Sequence, residues 1–288
     1  NIGFKLNIQT QKQEKFKETI KILSLKLSQK EKINNLGLFI VGDIPKEYIS
    51  ELTVSEDCEI DFDCRDACYI IKSGELLSYG ANKFTQLLKT NDPIGVAETI
   101  LGRSNELKYR RYKKVDLYSL AGDPVRSQIN SAGPLAKSII KYSLRRIFQV
   151  SDDDKAPLLF EEKFLLKNEK DTKLRKFEEG TWIFRSGFSN NRMYFLEKGS
   201  VQLFTKNNRE LATLTMGTCF GEGTLIRGKK HNNSAFALEN CLIRTIDEDI
   251  IEKNLKSETP LVQLILYLVL RRAEFMNSLR MADDFSRK

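Results

Sequence analysis

One unit is written twice along this chain. Tyr69-Ile70-Ile71-Lys72-Ser73-Gly74-Glu75-Leu76-Leu77 returns 125 residues on as Tyr194-Phe195-Leu196-Glu197-Lys198-Gly199-Ser200-Val201-Gln202. Beyond it, Ile94-Gly95 answers to Phe220-Gly221, Gly102-Arg103 to Gly228-Lys229, Pro134-Leu135 to Pro260-Leu261 and Leu144-Arg145-Arg146 to Leu270-Arg271-Arg272, all at 126. A register held over about 75 residues, with a one-residue slip in a single loop, marks a duplicated structural unit. In 288 residues two such units fill nearly the whole length, so the fold must be one that roughly 126 residues complete.

The pattern inside the unit is that of short strands closed by a helix. In the second copy Thr181 to Phe184, Met193 to Leu196, Ser200 to Phe204, Leu211 to Thr215, Ala235 to Ala237 and Leu242 to Ile246 are β-rich runs, broken at Gly187, Gly199 and Gly217. Strands this short, with turns between them, predict an antiparallel jelly roll or barrel. Pro134 and Pro260 suit a first helical turn, where the missing amide costs nothing, and Thr259 suits the cap before it. Leu261 to Leu270 is apolar on nearly every face, interrupted by Gln263 and Tyr267, and predicts a helix buried deeply or paired with a partner. Phe16, Ile20, Leu23 and Leu27 fall on one face of an amphipathic helix near the start. The acidic run Asp152-Asp153-Asp154 before Pro157 marks the boundary between copies. The expected class is mainly β with α: two tandem double-stranded β-helix (jelly-roll) barrels, each with flanking helices. The N-terminal helical arm spans 1–33, the first unit 34–149, and the second unit with its C-terminal helix 150–288.

Composition narrows the chemistry. The one histidine, His231, leaves little for imidazole metal sites or acid–base catalysis, so no enzyme, metal or cofactor is expected. Five cysteines without a CxxC pair, Cys58, Cys64, Cys68, Cys219 and Cys241, fit buried thiols in a reducing, cytoplasmic setting. The first thirty residues show no apolar signal core, and the apolar block at Leu261 is far short of the roughly 20 residues that span a bilayer, so no membrane insertion is expected. Forty-seven Lys and Arg against 39 Asp and Glu give +8, a charge that permits an acidic partner without requiring one. The run Lys108-Tyr109-Arg110-Arg111-Tyr112-Lys113-Lys114 reads first as a strand with a charged outer face.

One glycine-rich loop carries a mechanism. In Phe220-Gly221-Glu222-Gly223-Thr224-Leu225 two glycines flank an acid at the entry to a short helical turn, where backbone amides can approach an anion. A carboxylate beside such a nest repels a bare phosphate but accepts a hydrogen bond from a hydroxyl, so the pairing suits a sugar phosphate.

From Glu179-Gly180-Thr181-Trp182-Ile183-Phe184-Arg185-Ser186-Gly187, through Met193 to Val201, Leu211-Ala212-Thr213-Leu214 and Gly217, to Phe220-Gly221-Glu222, the sequence resembles the cyclic nucleotide-binding domain family. The resemblance implies an eight-stranded β-roll, a cassette in which Gly221, Glu222 and the amides after them hold the phosphate, and Glu222 on the ribose 2′-hydroxyl. It implies too that the helix from Pro260 moves on ligand binding. The ligand-binding residues expected are Phe220, Gly221, Glu222, Gly223, Thr224, Leu225, His231, Asn232, Asn233 and Ser234.

Departures from that pattern matter. Where the family places an arginine for the cyclic phosphate, this chain has His231 and Asn232; Arg227, Lys229 or Lys230 are the nearest substitutes. In the first copy Val96 stands in place of Glu222, with Glu98 two residues on, and Asn105 and Glu106 stand in place of the arginine. The first unit is therefore read as the same fold without the standard site. The resemblance implies a non-catalytic cyclic-nucleotide (cAMP- or cGMP-type) sensor, with ligand in the second barrel moving the C-terminal helix against an effector protein or a second copy. Two alternatives stand beside it: a ligand-free protein-interaction module, and a transcription regulator of the catabolite-activator type lacking its helix-turn-helix. DNA is not an expected partner, because only about six residues follow Ala282.

Overall fold

The computed structural model describes residues 41–55, 59–79, 85–105, 107–111, 114–148, 161–190, 192–225 and 230–286. The expected arm at 1–33, the start of the first unit, the boundary at 149–150, Cys58, Glu106, Arg227 and Lys229 lie outside them.

Two sheets form from each copy. In the first unit β1 (Ile49–Val54), β8 (Val115–Ala121), β3 (Ala67–Ser73) and β6 (Pro93–Ile94) make one antiparallel sheet, in that order. A second has the order β2 (Glu59–Ile60), β7 (Lys108–Arg111), β4 (Leu76–Tyr79), β5 (Thr85–Leu88). The second unit repeats both orders strand for strand. One sheet runs β9 (Lys173–Phe177), β16 (Cys241–Ile246), β11 (Met193–Lys198), β14 (Cys219–Phe220); the other runs β10 (Trp182–Phe184), β15 (Ser234–Ala237), β12 (Val201–Phe204), β13 (Glu210–Leu214). This is the duplicated jelly roll expected from the repeat. The repeat's central glycine is required by geometry. Gly74 and Gly199 sit at φ +90° and +97°, and a Cβ there would stand 2.1 Å from the Lys114 carbonyl oxygen or 2.7 Å from Cys241 Sγ.

The expected strands of the second unit form within a residue or two of their expected ends. Three elements go beyond them. β9, Lys-Leu-Arg-Lys-Phe, lies on a sheet edge with its side chains largely in solvent, so it lacks apolar alternation; β14 is only two residues long. The third is the helix Glu248–Lys256 (below). In the basic run, Tyr109 points inward, fully buried, while Lys108 faces out against Glu59 at 2.6 Å, as a charged outer face requires.

Helix α1 (Val96–Leu101) lies between β6 and β7, α2 (Gly122–Ser131) and α3 (Pro134–Phe148) follow the first roll's strands, and α4 (Glu248–Lys256) and α5 (Pro260–Ser286) follow the second's. Pro134 and Pro260 open α3 and α5, and Thr259 Oγ1 accepts the Val262 amide at 3.4 Å. α3 and α5 pack against each other in one apolar core that draws on both units. Leu261, Val262 and Leu264 to Leu270 are buried there, each fully buried large aliphatic adding about 1.5–3 kcal/mol. That apolar stretch is covered within the chain, by the first unit as well as by its own. Among the described residues no helix is long and apolar enough to cross a membrane.

The ends of the two helices cross over. From α3, Tyr142 Oη donates to the Gly217 carbonyl at 2.8 Å and Arg146 Nη2 to the Cys219 carbonyl at 3.1 Å, both in the second unit. From α5, Arg271 pairs with Asp92 and Arg272 reaches Glu98 at 3.3 Å, both in the first.

Candidate functional site

β14 pairs with β11 through Tyr194 opposite Phe220, and the chain then turns at Gly221 into a single 3-10 turn, Glu222–Leu225. Gly221 has φ +85°, and a Cβ there would lie 2.8 Å from the Tyr194 ring and 3.0 Å from the Arg192 carbonyl oxygen. Its own carbonyl accepts the Thr224 amide at 3.3 Å and the Thr224 hydroxyl at 2.9 Å, which closes the turn. The turn drives Glu222 inward, to 6% exposure. One carboxylate oxygen, Oε1, pairs with Arg146 Nη1; the other, Oε2, is buried with no hydrogen-bond partner. A buried acceptor left open costs free energy unless something donates to it.

Glu222 stands in the wall of a cavity of about 360 Å³, inside the roughly 300–1,000 Å³ range of small-molecule sites. Gly221, Glu222, Gly223 and Thr224 form one side, Lys230 to Asn233 another, and Phe184, Leu203 and Lys206 the barrel side. Leu270, Ala273, Glu274 and Asn277 of α5 close it, with Arg146 entering from the first unit. Asn232 Nδ2 lies 3.5 Å from Glu274 Oε1, so the loop after the turn touches the closing helix. Among the described residues no group of three His, Cys, Asp or Glu is placed to hold a metal ion.

His231 lines this cavity as an aromatic ring. It stacks on Phe184 with centroids 3.8 Å apart and planes 15° apart, and its Nε2 lies 2.6 Å from Asn190 Oδ1, whose amide nitrogen donates to Tyr194 Oη at 2.8 Å. Burial lowers its pKa from 6.5 to about 4. At neutral pH the residue in the arginine's place brings no charge.

Of the expected site residues, Gly221, Glu222, Gly223, Thr224, His231, Asn232 and Asn233 line the cavity. Phe220 lies behind it, stacked on Tyr194 at 5.1 Å; Leu225 packs on the shared core; the Ser234 hydroxyl accepts the Ser186 amide at 2.9 Å. Arg146, Phe184, Leu203, Lys206, Glu274 and Asn277 were not expected. Arg146 carried one signal, its place in the repeated Leu-Arg-Arg, but its reach across units is a tertiary fact.

The first unit has the same turn with a different interior. Gly95, at φ +68°, precedes α1; Val96 is fully buried in the shared apolar core, and the acid of this turn is Glu98, 4% exposed and against Arg272. Asn105, in the arginine's place, donates to Tyr109 Oη at 2.7 Å. At the positions of Gly187 and Ala235 stand Phe62 and Tyr109, with ring centroids 5.3 Å apart, and α5 adds Phe275 to the same apolar cluster. Those three rings lie together in the apolar interior of the first roll. Burial raises the Cys64 and Cys68 thiols there to about 12.

The second roll thus places a glycine turn, the loop at Lys230 to Asn233 and the helix α5 around one cavity of mixed lining. The model of the cyclic nucleotide-binding domain matches residues 174–258, most of the second unit's strands and the helix after them. Over 129 residues the chain is 27% identical to the potassium/sodium hyperpolarization-activated cyclic nucleotide-gated channel 2 of Mus musculus, covering 44% of this chain and 14% of the channel. Over 106 residues it is 33% identical to a cGMP-dependent protein kinase of Plasmodium berghei (strain Anka), covering 37% of this chain and 11% of the kinase. The chain thus spans only a small part of the curated relatives it matches. Among solved structures it is similar to the regulatory domain of Toxoplasma gondii PKA with cAMP, at 15% identity and a TM-score of 0.30, covering 83% of this chain and 97% of that one.

Proposed function

We propose that the second unit is a non-catalytic receptor for a cyclic nucleotide of the cAMP or cGMP type, and that its occupancy biases α5 and whatever effector protein or second copy reads that helix. The observation that carries this is Glu222 Oε2: buried, unpartnered and in the wall of a nucleotide-sized cavity, it is an acceptor waiting for a hydroxyl such as the ribose 2′-OH. The names of the similar channel and kinase, cyclic nucleotide-gated and cGMP-dependent, point the same way. Four buried free thiols, Cys64, Cys68, Cys219 and Cys241, fit a reducing, cytoplasmic setting. For α5 to respond, the ligand must bind its two positions with different affinity, and contact with Leu270, Ala273, Glu274 and Asn277 supplies the means.

Calorimetric titration with cAMP and cGMP tests this: saturable binding by the wild-type chain, lost in Glu222→Ala, supports it. One observation favours a second reading, a ligand-free interaction module: the neutral, stacked His231 stands where a phosphate would need a cation. Absence of heat and of any melting shift at millimolar cAMP and cGMP would establish that alternative.

A further inference from the structure

We propose that Arg146, a residue of the first unit, sets the charge selectivity of the second unit's cavity; this rests on the reading just given. A cyclic phosphate is an anion, and the residue offered to its sugar, Glu222, is an anion too. Among the described residues around the cavity, little offsets that repulsion: His231 is neutral, Asn232 is an amide, and Lys206 and Lys230 are exposed. α5 adds a further acid, Glu274. The cation in contact with the carboxylate is Arg146, whose Nη1 holds Glu222 Oε1 and whose Nη2 is fixed by the Cys219 carbonyl at 3.1 Å.

Two consequences follow from that geometry. The pair Arg146–Glu222 is neutral, so an anion can approach it, and Oε1 is taken while Oε2 faces a hydroxyl. A neutral nucleoside and an anionic cyclic nucleotide share the hydroxyl contact, but only the anion gains from the arginine's charge. Arg146 is thus a positioning residue that acts through Glu222, and the first unit decides which ligands the second accepts.

The test compares cAMP with adenosine, and cGMP with guanosine, by calorimetry on the full chain as wild type, Arg146→Gln and Arg146→Lys. The glutamine variant is expected to lose about ten- to a hundredfold in cyclic nucleotide affinity, while the nucleoside changes by less than about threefold; lysine is expected to restore most of the difference. A merely structural arginine would lower both ligands together, and that result overturns the proposal, as does a cyclic nucleotide affinity that Arg146→Gln leaves unchanged. If the glutamine variant fails to fold, Arg146→Met decides in its place: a weaker cyclic nucleotide with an unaltered nucleoside supports the proposal, and equal losses overturn it. A wild-type chain that takes neither cAMP nor cGMP overturns the functional reading and this inference together; binding that is indifferent to Arg146 overturns only this one.

Discussion

Arg272 and Glu98 are 174 residues apart in sequence and 3.3 Å apart in the fold, and Arg146 and Glu222 stand in the corresponding relationship the other way round. Each unit sends the last arginine of its repeated Leu-Arg-Arg onto the acid of the other unit's glycine turn. The duplication has produced a two-fold exchange of ion pairs as well as two barrels.

The Arg272–Glu98 pair is nearly removed from water, with side chains 6% and 5% exposed. Taking away one partner leaves the other charged and buried, which costs about 3–5 kcal/mol, whereas replacing both by uncharged groups costs far less. Arg272→Met is expected to destabilise by that amount in urea titration, and the double variant with Glu98→Gln to recover much of it. A loss under about 1 kcal/mol from Arg272→Met would mean the pair does not join the units.

Phe275 belongs by sequence to the second unit's helix and by packing to the first unit's interior, beside Phe62, Ile71 and Leu117. Phe275→Ala therefore opens space in the first barrel, at about 3–5 kcal/mol for a buried phenylalanine. Native-state hydrogen exchange should show the loss at β3 and β8 of the first unit. If protection falls only along the second unit's strands, the ring does not support the first.

The duplication, the short strands and the glycine turn were legible in the sequence because each rests on local pattern: a repeated register, β-rich runs and the glycines that break them. The turn's acid in the second unit was legible for the same reason. Arg146 was not, since nothing within the Gly221 loop specifies which helix end will meet it. Nor was His231's role, because its stack on Phe184 joins residues 47 apart. The same holds for the first interior, where Phe62 and Tyr109 were visible as departures from Gly187 and Ala235 but their meeting depends on sheet pairing.

Gly221→Ala combines two faults. The residue would hold φ +85°, at about 1–2 kcal/mol for a left-handed conformation, and its Cβ would press on the Tyr194 ring at 2.8 Å. Thermal melting should fall, and near-ultraviolet circular dichroism should change as Tyr194 leaves its stack with Phe220. An unchanged aromatic spectrum would show that the turn tolerates a side chain.

His231 makes stability depend on pH in a definite direction. In the folded chain burial holds its pKa near 4, against 6.5 for an unperturbed ring. Between those values the unfolded chain takes up a proton that the folded chain refuses, so the unfolded state binds more protons and stability falls as pH falls. The contribution is fully present above about pH 6.5 and is lost progressively down to about pH 4, at no more than about 1.4 kcal/mol per pH unit and less where the cavity admits water. Urea titrations at pH 7, 6 and 5 on wild type and His231→Gln should show a difference in slope across that window, the wild type being the steeper. Parallel slopes for the two chains would show that the ring titrates in the folded state as it does in water, and would return a cation to the position the family gives to arginine.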